Sequence, residues 1–134
     1  MSVSGIVVSV ISGKNDSDVS VLKVSGFIDT TTAGDLESAL YRLVKKGCYK
    51  IIVDLSGVDY VSSAGWGIFI GEIKEIRNNG GDLKLAGMVG DVFEVFQLLE
   101  FHSILDAHPT AEEAEQAFEA TPAGKAGVET APGD

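Results

Sequence analysis

The run Lys50-Ile-Ile-Val-Asp54-Leu is nearly continuous in apolar residues and lies between two segments of helical period. An uninterrupted apolar run of that length is what a strand buried on both faces requires, and parallel strands need a crossover element between them. This places the chain among folds in which helices cover a largely parallel sheet.

The flanking segments agree with that frame. Residues 3–11 and 18–28 are rich in valine and isoleucine and are separated by SGKNDSD, so they read as two strands of a hairpin. From Thr32 the apolar positions Leu36, Leu40, Leu43 and Val44 take helical spacing, with Thr32 and Asp35 as a capping pair and Gly47 as the stop. After the central run, Trp66, Phe69, Ile70, Ile73 and Ile76 form one stripe of a second helix that ends at Asn78-Asn-Gly-Gly81. Leu83, Leu85 and Gly87 alternate as a fourth strand, and Val92, Val95, Phe96 and Leu99 mark a third helix. Ile104-Leu105 is placed as a short edge strand, and Thr110 with Glu113 opens a last helix. The prediction is one α/β domain with a mixed sheet of four to five strands and about four helices over residues 1–119. Residues 120–134 hold two of the three prolines and follow neither period, so they are expected to form a disordered tail.

Twenty acidic residues against ten basic ones leave a net charge of −10, with no basic cluster larger than Lys45-Lys46 and nearby Lys50. Phosphate backbones require the opposite sign, so nucleic acid is excluded as a partner and a protein with a basic surface is expected. The lone Cys48 cannot form an internal disulfide, and no apolar run approaches the ~18 residues of a membrane span. The chain is therefore read as cytosolic, with no membrane association. His102 and His108 lack ligand spacing and are read as surface or loop residues, so no metal or other cofactor is expected. GxSxG is absent around Ser62 and Ser63, and GWGIFIG is not a dinucleotide fingerprint, so no enzymatic activity is expected.

The most informative stretch is VDYVSSAGWGIFIG, residues 58–71. Each glycine in a helix interior costs roughly 0.8 to 1 kcal/mol relative to alanine, yet Gly65, Gly67 and Gly71 all fall there. A serine at this strand-to-helix junction is most simply a cap for the free N–H groups of the first turn. Capping leaves the glycines unexplained. Ser63, Gly67 and Gly71 recur every four residues, so a hydroxyl heads a strip without side chains beside the apolar stripe. Such a strip admits either an internal neighbour or a partner protein, and we favour the partner.

Three segments, SGFIDTTTAGDL (25–36), VDLSGVDYVSSAGWGIFIG (53–71) and GGDLKLAGM (80–88), resemble the STAS domain, and most closely the stand-alone anti-sigma factor antagonists of bacteria. The likeness spans about residues 3–119. It implies a protein that binds an anti-sigma factor which is also a serine kinase, and so releases a sigma factor. The kinase would phosphorylate a serine at the start of the second helix, and a serine phosphatase would reverse it. That position corresponds to Ser63, with Ser62 as the second choice, since Ser62 stands where many members carry aspartate. The resemblance further implies that Asp29 and Thr30, and Asp54 and Ser56, lie near Ser63 and contact the partner together with Ser62, Gly67 and Gly71. Leu99-Glu-Phe101 lacks a glycine that many relatives have. The alternative within the family is a STAS scaffold or transport-accessory subunit whose serine is never modified.

Overall fold

The computed structural model describes residues 6–12 and 18–120. Of the tail expected over residues 120–134, Ala120 is the last residue of the final helix and residues 121–134 lie outside the described residues, as does the turn that joins the first two strands. The elements run β1 (Ile6–Ser12), β2 (Val19–Ile28), α1 (Ala33–Lys45), β3 (Lys50–Val61), α2 (Ser63–Asn78), β4 (Asp82–Ala86), α3 (Gly90–Leu98), β5 (Asp106–His108) and α4 (Ala111–Ala120). The five strands form one sheet in sequence order. β1 pairs antiparallel with β2, and β2 to β5 are mutually parallel. The predicted mixed sheet with helical crossovers is thus the observed one.

Hydrophobic burial divides the helices between the two faces. Leu22, Val24 and Ile28 of β2 and Ile51, Val53 and Leu55 of β3 point into the main core, which the apolar stripes of α1, α2 and α3 close. Val19, Val21, Ile52 and Ala86 point the other way and meet Ala114 and Phe118 of α4. Side chains such as Leu36, Leu40, Phe69 and Ile76 are completely buried. Each contributes about 1.5 to 3 kcal/mol of transfer free energy.

β3 is longer than its apolar run suggested, and the reason is local geometry. Lys23 opposes Asp54 while Ser25 opposes Gly57, and Gly26 opposes Val58 while Phe27 opposes Tyr60, so β3 carries two extra residues against β2. These bulges change the burial spacing from Ile51, Val53 and Leu55 to Leu55, Val58 and Val61. A period of three inside a strand imitates a helix, which is why the sequence reading ended the strand at Leu55.

Two other boundaries differ from expectation. Thr32 precedes α1 but makes no capping bond to its first turn, because its hydroxyl donates to Phe27 O at 2.6 Å and accepts from Asp29 N at 2.9 Å. The Asp29 carboxylate accepts from the N–H groups of Thr31 at 2.9 Å and Thr32 at 3.0 Å, which closes the turn ahead of α1 and leaves the first turn of the helix without a side-chain cap. The edge strand falls on Asp106–His108, two residues after Ile104-Leu105, because Phe101–Ser103 forms a turn of 3-10 helix and Leu105 N still bonds Phe101 O. Gly47 ends α1 as expected, at φ +83°, and Thr110 Oγ1 accepts from Glu113 N at 3.1 Å to open α4.

The end of α3 carries backbone strain. Glu100 occupies the left-handed region at φ 60°, the only non-glycine residue to do so among those described. An L-residue pays roughly 1 to 2 kcal/mol for that conformation, and glycine escapes it. Glu100→Gly should therefore raise the stability by about 0.5 to 1 kcal/mol after its larger unfolded-state entropy is counted. Urea melts at neutral pH check this, with an unchanged or lowered midpoint as the contrary result.

Candidate functional site

The parallel pairing of β2 and β3 delivers two chain ends to one place. Ile28 opposes Val61 at the end of the ladder, and Ser62 N donates to Ile28 O at 2.7 Å as the chain turns into α2. This bond sets the Asp29-Thr30 turn beside the Ser62-Ser63 pair. Ser62 has extended backbone angles and its Oγ accepts from Gly65 N at 3.3 Å, so it is the N-cap. Ser63 is the first helical residue and is exposed, and its hydroxyl has no hydrogen-bond partner among the described residues. The two hydroxyls therefore differ in kind: one is used by the helix and one faces solvent.

The three glycines of α2 separate in the same way. A Cβ at Gly65 would lie 2.6 Å from Ile28 Cγ2 and 2.8 Å from Val61 Cγ1, so this glycine lets the helix start close against the strand ends. A Cβ at Gly67 or Gly71 would meet nothing within 4 Å. Both are exposed in line with Ser63, while Trp66, Phe69, Ile73 and Ile76 face the core. Internal packing accounts for Gly65 and leaves Gly67 and Gly71 on an open face.

The head of α2 suits an added anion. Its first turn contains no acidic residue, and its unpaired backbone N–H groups and the positive end of the helix dipole point outward there. Further along the same helix the charge reverses. Burial, with Glu75 and then Glu37 of α1 nearby, raises the pKa of Glu72 above the ordinary carboxylate value. Beside the strip lies an acidic seam between α1 and α2.

Asp54 and Ser56 are not part of this cluster. Asp54 opposes Lys23, five residues before Ile28, which is about 17 Å along the strand at 3.3 Å per residue. There the Asp54 carboxylate accepts from Ser56 N at 3.0 Å and lies 3.5 Å from the Lys23 ammonium, next to Gly87. The expectation that both residues lie near Ser63 fails because β3 does not end at Leu55 but runs on to Val61, and even with two residues taken up by the bulges this carries the chain five β2 positions away from Asp54 before α2 begins.

A second polar group escaped the sequence reading. Lys84 is 8% exposed, held by Asp106 at 2.8 Å and Asp82 at 3.4 Å, with its ammonium 4.7 Å from the centre of the Phe118 ring. His108, read from sequence as a surface or loop residue, lies in β5 with Nε2 2.9 Å from Asp106. Alternation in β4 put Lys84 on the polar side, and only the packing of α4 buries it. The hydrogen bond with His108 acts first and Lys84 adds to it, so the Asp106 carboxyl is held well below the usual carboxylate range despite partial burial.

The STAS domain family model matches residues 11–114. A Bordetella bronchiseptica protein named as an anti-sigma factor antagonist, BtrV, is 34% identical over 95 residues, covering 71% of this chain and 82% of that protein. The crystal structure of an anti-sigma factor antagonist from Mycobacterium paratuberculosis superposes with a TM-score of 0.77 at 25% identity, over 85% of this chain and 94% of that one. Bacillus SpoIIAA in its phosphorylated form shares the fold at a TM-score of 0.62 and 18% identity, over 83% of this chain and 98% of that one. The chain belongs to the STAS domain family. No helix among the described residues is long and apolar enough to cross a membrane.

Two expected outcomes follow from the geometry. Gly71→Ala should raise stability by up to ~1 kcal/mol through helix propensity, whereas Gly65→Ala should lower it by about 1 to 3 kcal/mol through overpacking. Urea denaturation of the two variants should therefore shift in opposite directions, and a shared sign would contradict the assignment of the strip.

Asp106 gives a pH-dependent prediction. A carboxylate with a depressed folded-state pKa stabilises fully above its unfolded value of about 3.9 and loses that contribution as pH falls through the folded value. The stability gap between the native chain and Asp106→Asn should thus shrink as pH falls from about 5 to about 3. Thermal melts across that range measure it, and a gap that widens on acidification would contradict the assignment.

Proposed function

We propose that this protein is an anti-sigma factor antagonist: it binds an anti-sigma factor, itself a serine kinase, and thereby frees a sigma factor. Phosphorylation of Ser63 breaks the complex, and a serine phosphatase restores it. The observation that carries this reading is the head of α2, where the Ser63 hydroxyl is exposed and unengaged above a strip that offers no side chains at Gly67 and Gly71. The names of the relatives support the class of function, and the existence of a phosphorylated form of SpoIIAA supports the modification.

Ser63 is preferred over Ser62 because removing or modifying the Ser62 hydroxyl would also release the Gly65 N–H that it caps. Losing such a cap costs about 0.5 to 2 kcal/mol. A phosphate on Ser63 meets N–H groups and a favourable dipole instead, so it leaves the domain folded and acts on the interface. It adds about 1.5 to 2 negative charges. A like charge met at 4 Å costs about 4 kcal/mol at an effective dielectric of 20, enough for a loss of roughly a thousandfold in affinity.

Asp29, Thr30, Gly67 and Gly71 form the contact surface around Ser63 in this reading. Asp54 and Ser56 lie down the sheet, and their carboxylate and backbone bonds serve the bulge; they would touch only a partner that extends along the strand. The kinase supplies the catalysis, and this chain is its substrate. The protein works in the cytoplasm, where the sigma factor acts.

The test uses the anti-sigma partner with ATP, the native chain, Ser63→Ala, Ser62→Ala and Ser63→Glu, read by intact mass and calorimetry. Ser62→Ala should gain one phosphate and Ser63→Ala none. Ser63→Ala should bind the partner as the native chain does, and Ser63→Glu at least about tenfold more weakly. A full phosphate on Ser63→Ala would move the site to another hydroxyl, and equal affinities for the alanine and glutamate variants would remove the electrostatic switch.

A further inference from the structure

The charge of the molecule is distributed very unevenly. Between residues 85 and 120 the chain has eight Asp and Glu and no Lys or Arg, so most of the net −10 comes from α3, the turn after it, β5 and α4. The nearest cations from other elements are already engaged. Lys84 is buried against Asp106 and Asp82, and Arg77 of α2 is held by Asp82 at 2.9 Å and by Ile104 O at 2.8 Å. An extended field of one sign destabilises the chain that carries it and serves attraction of the opposite sign.

Four of these acids, Glu112, Glu113, Glu115 and Glu119, belong to α4 across the sheet, and the other four, Asp91, Glu94, Glu100 and Asp106, lie on α3, the turn after it and β5, where large apolar groups are exposed as well. Val89 is 44% exposed, Phe93 41%, Leu98 77% and Leu99 54%. Phe93 is stacked on buried Phe96 at 6.2 Å and is thereby held in place as an anchor. Two clefts, of about 420 and 350 Å³, share Phe93 and Ala107. Met88 and Pro109 line one, and Phe96 and Leu105 the other. His108 adds a polar edge to the first cleft, and Gln97, His102 and the paired Asp106 to the second. The unpaired negative charge is on the helix beside them, at the exposed Asp91 and Glu94 and at Glu100 just after it, and an exposed apolar row with carboxylates alongside matches a segment with apolar residues on one side and cations flanking them.

We propose that the α3–β5 flank is a second docking surface, which takes an amphipathic, Lys/Arg-bearing segment of another protein at a site separate from the head of α2. A second copy of this chain would bring the same negative field, and nucleic acid or an anionic membrane would be repelled likewise. The apolar floor supplies affinity, while the carboxylates steer and orient the segment. The site needs no modification of Ser63 and stands whether or not that switch operates.

The probe is a synthetic helical peptide of about fourteen residues made of Leu and Lys, with Leu at i, i+3, i+4 and i+7 spacing. A peptide of the same composition with scattered Leu is the control. Both are titrated into the ¹⁵N-labelled full chain by NMR. The expected result is saturable binding of the amphipathic peptide, at least about tenfold tighter than the control, with shifts concentrated at residues 88–108. Phe93→Ser and the charge-reversed pair Glu94→Lys/Glu100→Lys should each weaken it about tenfold, while Ser63→Glu and Gly71→Leu leave it unchanged. If Phe93→Ser alters the melt, the charge-reversed pair, which changes only exposed groups, carries the test. Equal binding of the two peptides, shifts centred on the head of α2, self-association through this face, or no saturable binding would each overturn the proposal.

Discussion

The bond from Ser62 N to Ile28 O, at the last rung of the β2–β3 ladder, is the constraint on which the arrangement of this molecule depends. It closes the parallel pair and turns the chain from strand to helix. The first turn of α2 is then brought so near the strand ends that only glycine fits at position 65. Because the helix begins there, Trp66 and Phe69 reach the core, where Trp66 meets Phe96 and Phe101. The Ser63 side of the helix is left to solvent by the same rotation. Core packing and the exposure of the proposed switch are thus two consequences of one junction.

That junction also separates structural polar groups from available ones. Asp29 closes the turn before α1 and Ser62 caps α2, so both side chains of the site that look reactive in sequence are occupied by backbone N–H groups. Ser63 is left over because a helix needs one N-cap and Ser62 is already it. A modification at such a leftover position changes the surface without removing a bond on which the fold relies. This is a reason for a phosphorylation switch to lie at a helix start, where added negative charge is favourable for the host and unfavourable only for a partner.

The charge asymmetry gives the molecule two distinct sides. The face at α2 is small-featured, with a neutral head and an acidic seam formed by Glu37, Glu72 and Glu75. The flank at α3 and β5 is apolar and anionic, with its neighbouring cations Lys84 and Arg77 tied down by the chain's own acids. Like charges gathered on one flank repel one another, and the tight grip on Lys84 offsets part of that repulsion while leaving the outer surface negative.

Much was legible in the sequence because it depends on near neighbours along the chain. Helix α1 declared itself by Leu36, Leu40 and Leu43 and by Gly47, and the alignment of Ser63, Gly67 and Gly71 in one row follows from the 3.6-residue period alone. The resemblance carried by VDLSGVDYVSSAG identified the family before any fold was known. What the chain could not express locally was decided by tertiary contacts. The bulges of β3 exist only in register with β2, so the strand's end, and with it the distance of Asp54 and Ser56 from Ser63, could not be read from period. Whether a glycine is crowded or open depends on which residues the fold brings to it. Gly65 faces Ile28, thirty-seven positions earlier, and Gly67 faces nothing, though the sequence writes them two residues apart. Lys84 likewise occupies a position that alternation calls polar, and α4 buries it from twenty-seven positions or more along the chain. Periodicity records which side of an element a residue is on; only the folded chain determines what lies against that side.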